Sequence, residues 1–322
     1  MRLWNNCALF VLLLASFTLG AQDSPSSGAA PDSTAQHSST TPEPRKTVDL
    51  TPGANGQLSP DQIRRLMQEV SDKDQQNDEK RKDYTYIKRE EEHTLDGKGK
   101  VKNTEIRTRE VLMAYGEQVE RLIAKDDKAL SEKDAAKEEA RIQKIVDKRK
   151  KESKSDREKR LKKEEKERED DRKFVSEVSA AYNFRLVGSE VIDGRDTYVI
   201  DCDPRPGFQP RSKEAKVLSK VRGRIWIDKA ERQWVKLDAQ LLDTISFGLF
   251  LARLHKGTRI VAEQTRINDE VWLPKHESVK VDVRVALLKN FNVDADVTYR
   301  DYKKFRTDTK IVGVGEVPET QP

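Results

Sequence analysis

Cysteine is nearly absent from this sequence: Cys7 and Cys202 are the only two. Cys7 falls in an N-terminal stretch that reads as removable, so the folded chain keeps one thiol and no intramolecular disulfide. Stability must then come from a packed core. Large apolar side chains are scarce as well. Hydrophobic residues make up 35% and aromatics 6%, where ordinary domains reach about 45–50% apolar with Gly counted. Charged residues stand at 37%, against about 25% in ordinary domains. A uniform globule is excluded, and charge must be concentrated in segments or part of the chain left unfolded. Charge of one sign is missing too. The net charge is +5, from 62 Lys and Arg against 57 Asp and Glu, too small an excess to indicate nucleic-acid binding.

The motifs of common chemistries are also lacking. Outside the Ser/Pro-rich segment the histidines are His93, His255 and His276, none with a Cys or His at zinc spacing. They read as surface or turn residues. No G-x-S-x-G elbow occurs, and Cys202, flanked by Asp201 and Asp203, lacks the electropositive setting of a reactive thiol. Gly97-Lys98-Gly99-Lys100 has neither the spacing nor the Ser/Thr of a phosphate loop. Asp201 with Asp203, and Asp294 with Asp296, each place two carboxylates on one strand face. They read as wet faces, since calcium needs about 6–8 oxygen ligands. No catalytic residue, metal or cofactor is expected.

What is present divides the chain. Arg2 and the uncharged run Cys7–Leu19, followed by Gly20-Ala21, read as a secretory signal over 1–21, cleaved before Gln22. The run is shorter than the roughly 20 residues of a membrane span, so no span is expected after cleavage; the alternative is an uncleaved anchor. No Cys follows the small residues, so no lipid anchor is expected. Residues 22–58 are rich in Ser, Thr, Pro and Gly and read as a disordered tether. Residues 313–322 read as a disordered tail.

Ser59-Pro60-Asp61-Gln62 has the signature of a capped helix start, and Ile63, Leu66, Met67 and Val70 form one apolar stripe. The helix is expected over 59–83, its stripe docked on a core. Three antiparallel strands follow, at about 84–95, 101–115 and 118–125, separated by turn signals at 96–99 and 115–117. Residues 131–182 read as one long charged helix. It starts at Ser131 with Asp134, and Ile142, Ile145 and Val146 dock its first part. Phe174, Val175, Val178, Ala181 and Tyr182 anchor its end, while 147–173 holds a single large apolar residue, Leu161. Pairs such as Asp156–Arg160, Glu158–Lys162 and Glu164–Arg168 have the stabilising i,i+4 order. With 20 basic and 16 acidic residues over 125–173, its middle is expected to be solvated, or to reach a partner in the cell envelope through 147–173.

From Phe184 to about Lys310 the pattern is all-β. Val235, Leu237, Ala239 and Leu241 alternate with polar neighbours, as do Val279, Val281, Val283 and Val285, and Val293, Ala295, Val297 and Tyr299. Strict alternation marks an antiparallel sheet with one apolar face, to be covered by the helices at 60–82 and at the ends of 131–182. The most apolar stretch, Ile245–Leu254, with Phe247, Leu249 and Leu251, reads either as a hydrophobic lip or as an ordinary buried strand, the latter preferred. The fold class is α+β.

The run Val221-Arg-Gly-Arg-Ile-Trp-Ile-Asp228, with Gly223 and Trp226 inside it, then Trp234-Val235 and Trp272-Leu-Pro274, resembles the outer-membrane lipoprotein-sorting and lipoprotein-carrier superfamily over roughly 84–312. The charged segment and the tether are additions to that pattern. The resemblance implies an exported bacterial protein with a curved antiparallel sheet, an unclosed half-barrel, and helices on its concave face. It implies a non-enzymatic carrier of a lipid or acylated protein, with acyl chains held in an apolar cavity. That cavity would be lined by Val235, Leu237, Leu241, Val281, Val283 and Val285, with Phe247, Leu249 and Leu251 nearby, and would measure about 300–1,000 Å³. The alternative is a structural or interaction protein whose sheet is filled by its own helices.

Overall fold

A computed structural model describes Leu50 and residues 58–114, 117–212, 214–247, 252–285 and 289–304. Helix α1 (Pro60–Arg81) is followed by strands β1 (Tyr84–Leu95), β2 (Val101–Ala114), β3 (Glu117–Lys125) and β4 (Lys128–Ala129). Two helices come next, α2 (Glu132–Lys150) and α3 (Lys154–Ala181). Strands β5 (Tyr182–Ile192) and β6 (Arg195–Pro204) lead to a 3-10 turn at Glu214–Lys220, then β7 (Val221–Asp228) and β8 (Trp234–Leu241). The short β9 (Ile245–Phe247) and β10 (Ala252–Leu254) precede β11 (Arg259–Ile267), β12 (Val271–Val285) and β13 (Lys289–Lys304). Among the described residues no helix is long and apolar enough to cross a membrane.

One antiparallel sheet takes the order β4-β3-β2-β1-β13-β12-β11-β8-β7-β6-β5, with β9 and β10 attached beside β12. Two meanders, β1–β4 and β5–β8, flank a central β11–β13. The sheet is unclosed, an α+β half-barrel with β4 at one edge and β5 at the other. The charged segment therefore carries the chain from one edge of the sheet to the other. Ten inter-strand steps of about 4.8 Å make roughly 48 Å on a flat sheet, and helices of 19 and 28 residues reach about 28 and 42 Å. The first touches the body through its middle and the second through its end. Ile142, Ile145 and Val146 of α2 pack on Val119 of β3, and Phe174 and Ala181 of α3 enter the main core.

The expectation of one continuous helix over 131–182 is corrected by a break at Lys151–Ser153. Its cause is a second cap. Ser153 Oγ accepts from the Asp156 amide at 3.1 Å, as Ser131 Oγ does from Asp134 at 3.2 Å. Glu152 then ties the two helices, accepting from Arg160 at 2.9 Å and pairing with Arg149 at 3.4 Å. Asp156, the partner expected of Arg160, faces Lys159 at 3.7 Å. The side chains of Glu164, Arg168 and Val175 lie outside the described ones.

The N-terminal helix is capped as its sequence predicts, Ser59 and Gln62 exchanging backbone-to-side-chain bonds at 3.2 and 2.8 Å. Of its stripe, Ile63, Leu66 and Val70 are buried, Leu66 completely, and Met67 is half-buried. Each such aliphatic side chain contributes about 1.5–3 kcal/mol on burial. Leu50 and Leu58, both inside the segment expected to be a tether, also enter this core at 7% and 5% exposure. They are large apolar residues in a stretch otherwise poor in them, so docking them removes apolar surface from water at little polar cost.

Candidate functional site

The concave face of β5–β8 and β11 carries Ile200, Cys202, Ile225, Leu237, Leu241 and Ile260, roofed by α1, the end of α3 and the 3-10 turn. Roof and sheet do not meet everywhere. Between them lies an apolar cavity of about 190 Å³. The sheet supplies Cys202, Gly223, Ile225, Trp234, Leu237, Ala239, Leu241, Leu254 and Ile260. Met67 and Val70 of α1, Phe174 and Val178 of α3, and Val217 and Leu218 of the 3-10 turn complete the wall. Polar contributions come from Gln68, Ser71, Asp74, Ser179 and Thr258 at the margins.

Of the residues expected to line the cavity, Leu237 and Leu241 do so. Val235 is buried but stands off the lining. The register between β7 and β8 slips at Trp226/Ile227, where Ile227 pairs with Trp234 and Trp226 with Lys236. The extra residue turns Trp234 onto the cavity face in Val235's place, as a β-bulge does. Val281 is half-buried on β12 and also stands off the lining, two residues from Val279, the register partner of cavity-lining Ile260. Val283 pairs in register with cavity-lining Leu254, and Val285 with Ala252. The side chains of Val283, Val285 and Phe247 lie outside the described ones, and Leu249 and Leu251 lie outside the described residues altogether. The cavity is also smaller than the 300–1,000 Å³ expected of a ligand pocket, because two helices and a 3-10 turn fill more of the sheet than alternation in the strands reveals.

Of the motif residues, Gly223 is in the cavity lining, and the others bond neighbouring turns and strands. Gly223 lines the cavity, and a Cβ there would stand 3.2 Å from the Asp238 carbonyl, so glycine permits β7 to approach β8 closely. Asp228, 1% exposed, accepts from the amides of Ala230 and Glu231 at 2.9 and 2.7 Å and from Arg195 at 2.6 Å, shaping the β7–β8 turn. Trp226 donates to Glu190 at 2.7 Å, with the Lys236 ammonium 5.5 Å over its ring. Trp272 donates to Glu231 at 2.9 Å beneath the Arg195 guanidinium, and the Pro274 carbonyl accepts from Tyr302.

Sequence reasoning missed the attachment of the roof. In the polar second half of α1, Asn77 donates to the Trp272 carbonyl at 2.7 Å and accepts from the Trp272 amide at 2.8 Å. Arg81, 4% exposed, donates to the same carbonyl at 3.1 Å. Asp74 accepts from Trp234 at 3.0 Å, Gln233 at 2.9 Å and Arg81 at 3.2 Å. The signal was helical phase: 74, 77 and 81 continue the 63-66-70 face. The helix is thus bonded to the sheet from Asp74, at the cavity margin, to Arg81, and it packs apolar side chains over the rest of the cavity.

Electrostatics separate the two halves of the concave face. Cys202 lines the cavity, and burial, reinforced by Asp201 and Asp203, pushes its thiol far up, so it stays protonated and inert. Next to the cavity, Glu277 stands across from Ala262 and Val297 in register. Burial raises its carboxyl to about 7, against the opposing effects of the Tyr299 hydroxyl, Lys88 and Arg81. A carboxyl raised in the folded state adds stability below its ordinary value of 4.5, and that stability is lost as pH rises through about 7. Between those limits the wild type is expected to lose up to roughly 3 kcal/mol from this group. Urea titrations across pH 4–8 should show a flatter profile for Glu277→Gln; an unchanged slope would remove Glu277 as its source.

The expected carboxylate pairs are bound by basic side chains. Asp201 is bound by Arg224 at 2.6 Å and by Arg185 at 2.5 Å, Asp203 lies 3.9 Å from Arg222, Asp294 pairs with Lys280 at 3.4 Å and Asp296 with His276 at 2.6 Å. Both read as wet faces, laced by bonds to basic side chains. Among the described residues no His, Cys, Asp and Glu group is arranged to hold a metal.

No family model matches the chain, and no curated protein matches it. Three solved structures are similar to it in outline. A DUF1329 family protein from Desulfovibrio piger is 11% identical, over 77% of this chain and 95% of that one, with a TM-score of 0.31. A putative outer membrane lipoprotein-sorting protein domain from Vibrio parahaemolyticus is 12% identical, over 76% and 95%, also at 0.31. A LolA superfamily protein, NE2245 from Nitrosomonas europaea, is 8% identical, over 75% and 92%, at 0.26. The second and third bear the name of the superfamily that the Val221–Asp228 run resembles; likeness at these scores carries nothing about ligand or mechanism, which rest on the cavity itself.

Proposed function

We propose that the protein is a non-enzymatic carrier or binder of a lipid-like ligand, holding an acyl chain between the concave sheet and α1. The observation behind this reading is the cavity: about 190 Å³, walled almost wholly by aliphatic and aromatic side chains, and roofed by a helix whose second half is bonded to the sheet. An apolar cavity of about 150 Å³ stays dry and takes one benzene, so the space accepts a short stretch of chain as it stands. A longer chain requires the N-terminal half of α1 to lift, parting apolar contacts while the Asn77–Trp272 pair holds. The only thiol at the wall is inert, which agrees with binding rather than chemistry. Export by the N-terminal signal, to the periplasm or beyond, is part of the same proposal.

Native mass spectrometry of protein purified from a bacterial periplasm is the test. A co-purifying mass of one acyl lipid, displaced by fatty acid, is the expected result, with Gln22 as first residue on N-terminal sequencing. The second reading, a structural component of the envelope, is favoured by the small volume of the cavity. A bare protein that takes up no added lipid would establish it instead.

A further inference from the structure

The charged segment is nearly balanced as a whole but not along its length. Residues 148–163 hold ten Lys or Arg against three Asp or Glu, a net charge of +7, and 164–171 hold six acidic against two basic residues. The positive block is the elbow between α2 and α3. Lys148, Lys150, Lys151 and Lys154 surround the break, and Lys159 and Lys162 follow on the first turns of α3, all of them exposed. The elbow's own acid Glu152 is spent internally on Arg149 and Arg160. The acidic block begins ten residues beyond Lys154, about 15 Å along the helix. That exceeds the screening length of about 8 Å at physiological salt, so the acidic block, although it adjoins the positive one at Lys163, does not cancel the lysines of the break.

We propose that this elbow docks the protein on an anionic lipid surface. Three features favour a membrane over an acidic protein. The exposed cations are lysines in the main, a residue type depleted from protein–protein interfaces, where arginine is enriched. Clustered lysines close to an anionic leaflet each add to attraction without needing a defined partner geometry. Leu161, 43% exposed, is the one large apolar side chain among them, placed as basic interfacial helices place a residue that enters the headgroup boundary. The acidic block orients α3 end-on, since laying it flat would bring that block to the surface. About 30 Å of helix separates Lys154 from the cavity-lining Phe174, so docking leaves the cavity uncovered. The inference stands independently of what fills the cavity.

Vesicle co-sedimentation of the whole protein tests it, with phosphatidylcholine alone and with phosphatidylglycerol added. Binding is expected only to the anionic vesicles and should disappear between about 0.15 M and about 0.5 M salt. Replacing Lys148, Lys150, Lys151 and Lys154 by Gln should weaken it at least about 100-fold. Replacing the equally exposed Lys98, Lys100, Lys102 and Lys128 by Gln, the same change in net charge, should weaken it less than about threefold by long-range attraction alone. Circular dichroism confirms that both variants fold. Equal loss in both variants, equal binding to neutral vesicles, or no binding to anionic ones would each overturn the proposal. Binding to polyglutamate or duplex DNA without vesicle binding would also overturn it, and make the partner an acidic protein or a nucleic acid. A cavity-filling variant that binds vesicles normally separates this proposal from the carrier reading.

Discussion

Ala239→Trp is expected to abolish binding of a fluorescent fatty acid while leaving the protein folded. Ala239 lines the cavity in the middle of β8, between Gly223 and Ile260 in register, where a larger side chain projects into space rather than into a neighbour. An indole takes up most of the about 190 Å³ available. Each buried methylene of a ligand contributes about 0.8 kcal/mol, so excluding four or five removes roughly 3–4 kcal/mol and weakens binding by about 100- to 1,000-fold. Imperfect fit of the new ring costs about 1–3 kcal/mol of stability, which circular dichroism would register as a lowered Tm with native spectrum. Lys236→Ala, on the other face of the same strand, should leave affinity unchanged. Wild-type affinity in a folded Ala239→Trp protein would move the ligand elsewhere.

Asn77→Ala should destabilise the protein by roughly 2–4 kcal/mol. The side chain serves both backbone groups of Trp272, itself 3% exposed. Arg81 still reaches the carbonyl, so the amide is left unpaired in the interior, a loss of about 1–3 kcal/mol, to which the lost packing of the amide side chain adds. Urea denaturation would measure the change, and hydrogen exchange should show protection falling across 60–81 before it falls in the sheet. Lys82→Ala, whose exposed side chain pairs with Glu79 at 2.8 Å, should change stability by less than about 0.5 kcal/mol. Equal effects of the two substitutions would mean that α1 is held by its apolar stripe alone.

The capped start of α1, the three strands from Tyr84, the alternating strands after Phe184 and the docking ends of the charged segment were all legible in the sequence. Each depends on residues near one another in the chain: a Ser-to-Gln reciprocal cap, a period of two, a period of 3.6. The break at Ser153 was legible by the same rule that located Ser131, since Ser153 and Asp156 repeat its spacing; the run of charge on both sides masked it. Alternation also identified Leu237 and Leu241 as concave-face residues.

Tertiary structure alone decided the rest. Alternation assigns faces only while register holds, and one extra residue in β8 exchanges Val235 for Trp234 at the cavity wall. Hydrophobicity marks what is buried, not whether helix and sheet meet, so the cavity's existence and size depend on how α1, α3 and the 3-10 turn lie against five strands distant in sequence. The bonds of Asp74, Asn77 and Arg81 are not legible in the helix's own sequence, because their partners, Trp272 and Trp234, lie about 160 to 195 residues away. A polar side chain is stable inside a protein when its bonds are satisfied there, and only the folded chain brings those bonds together.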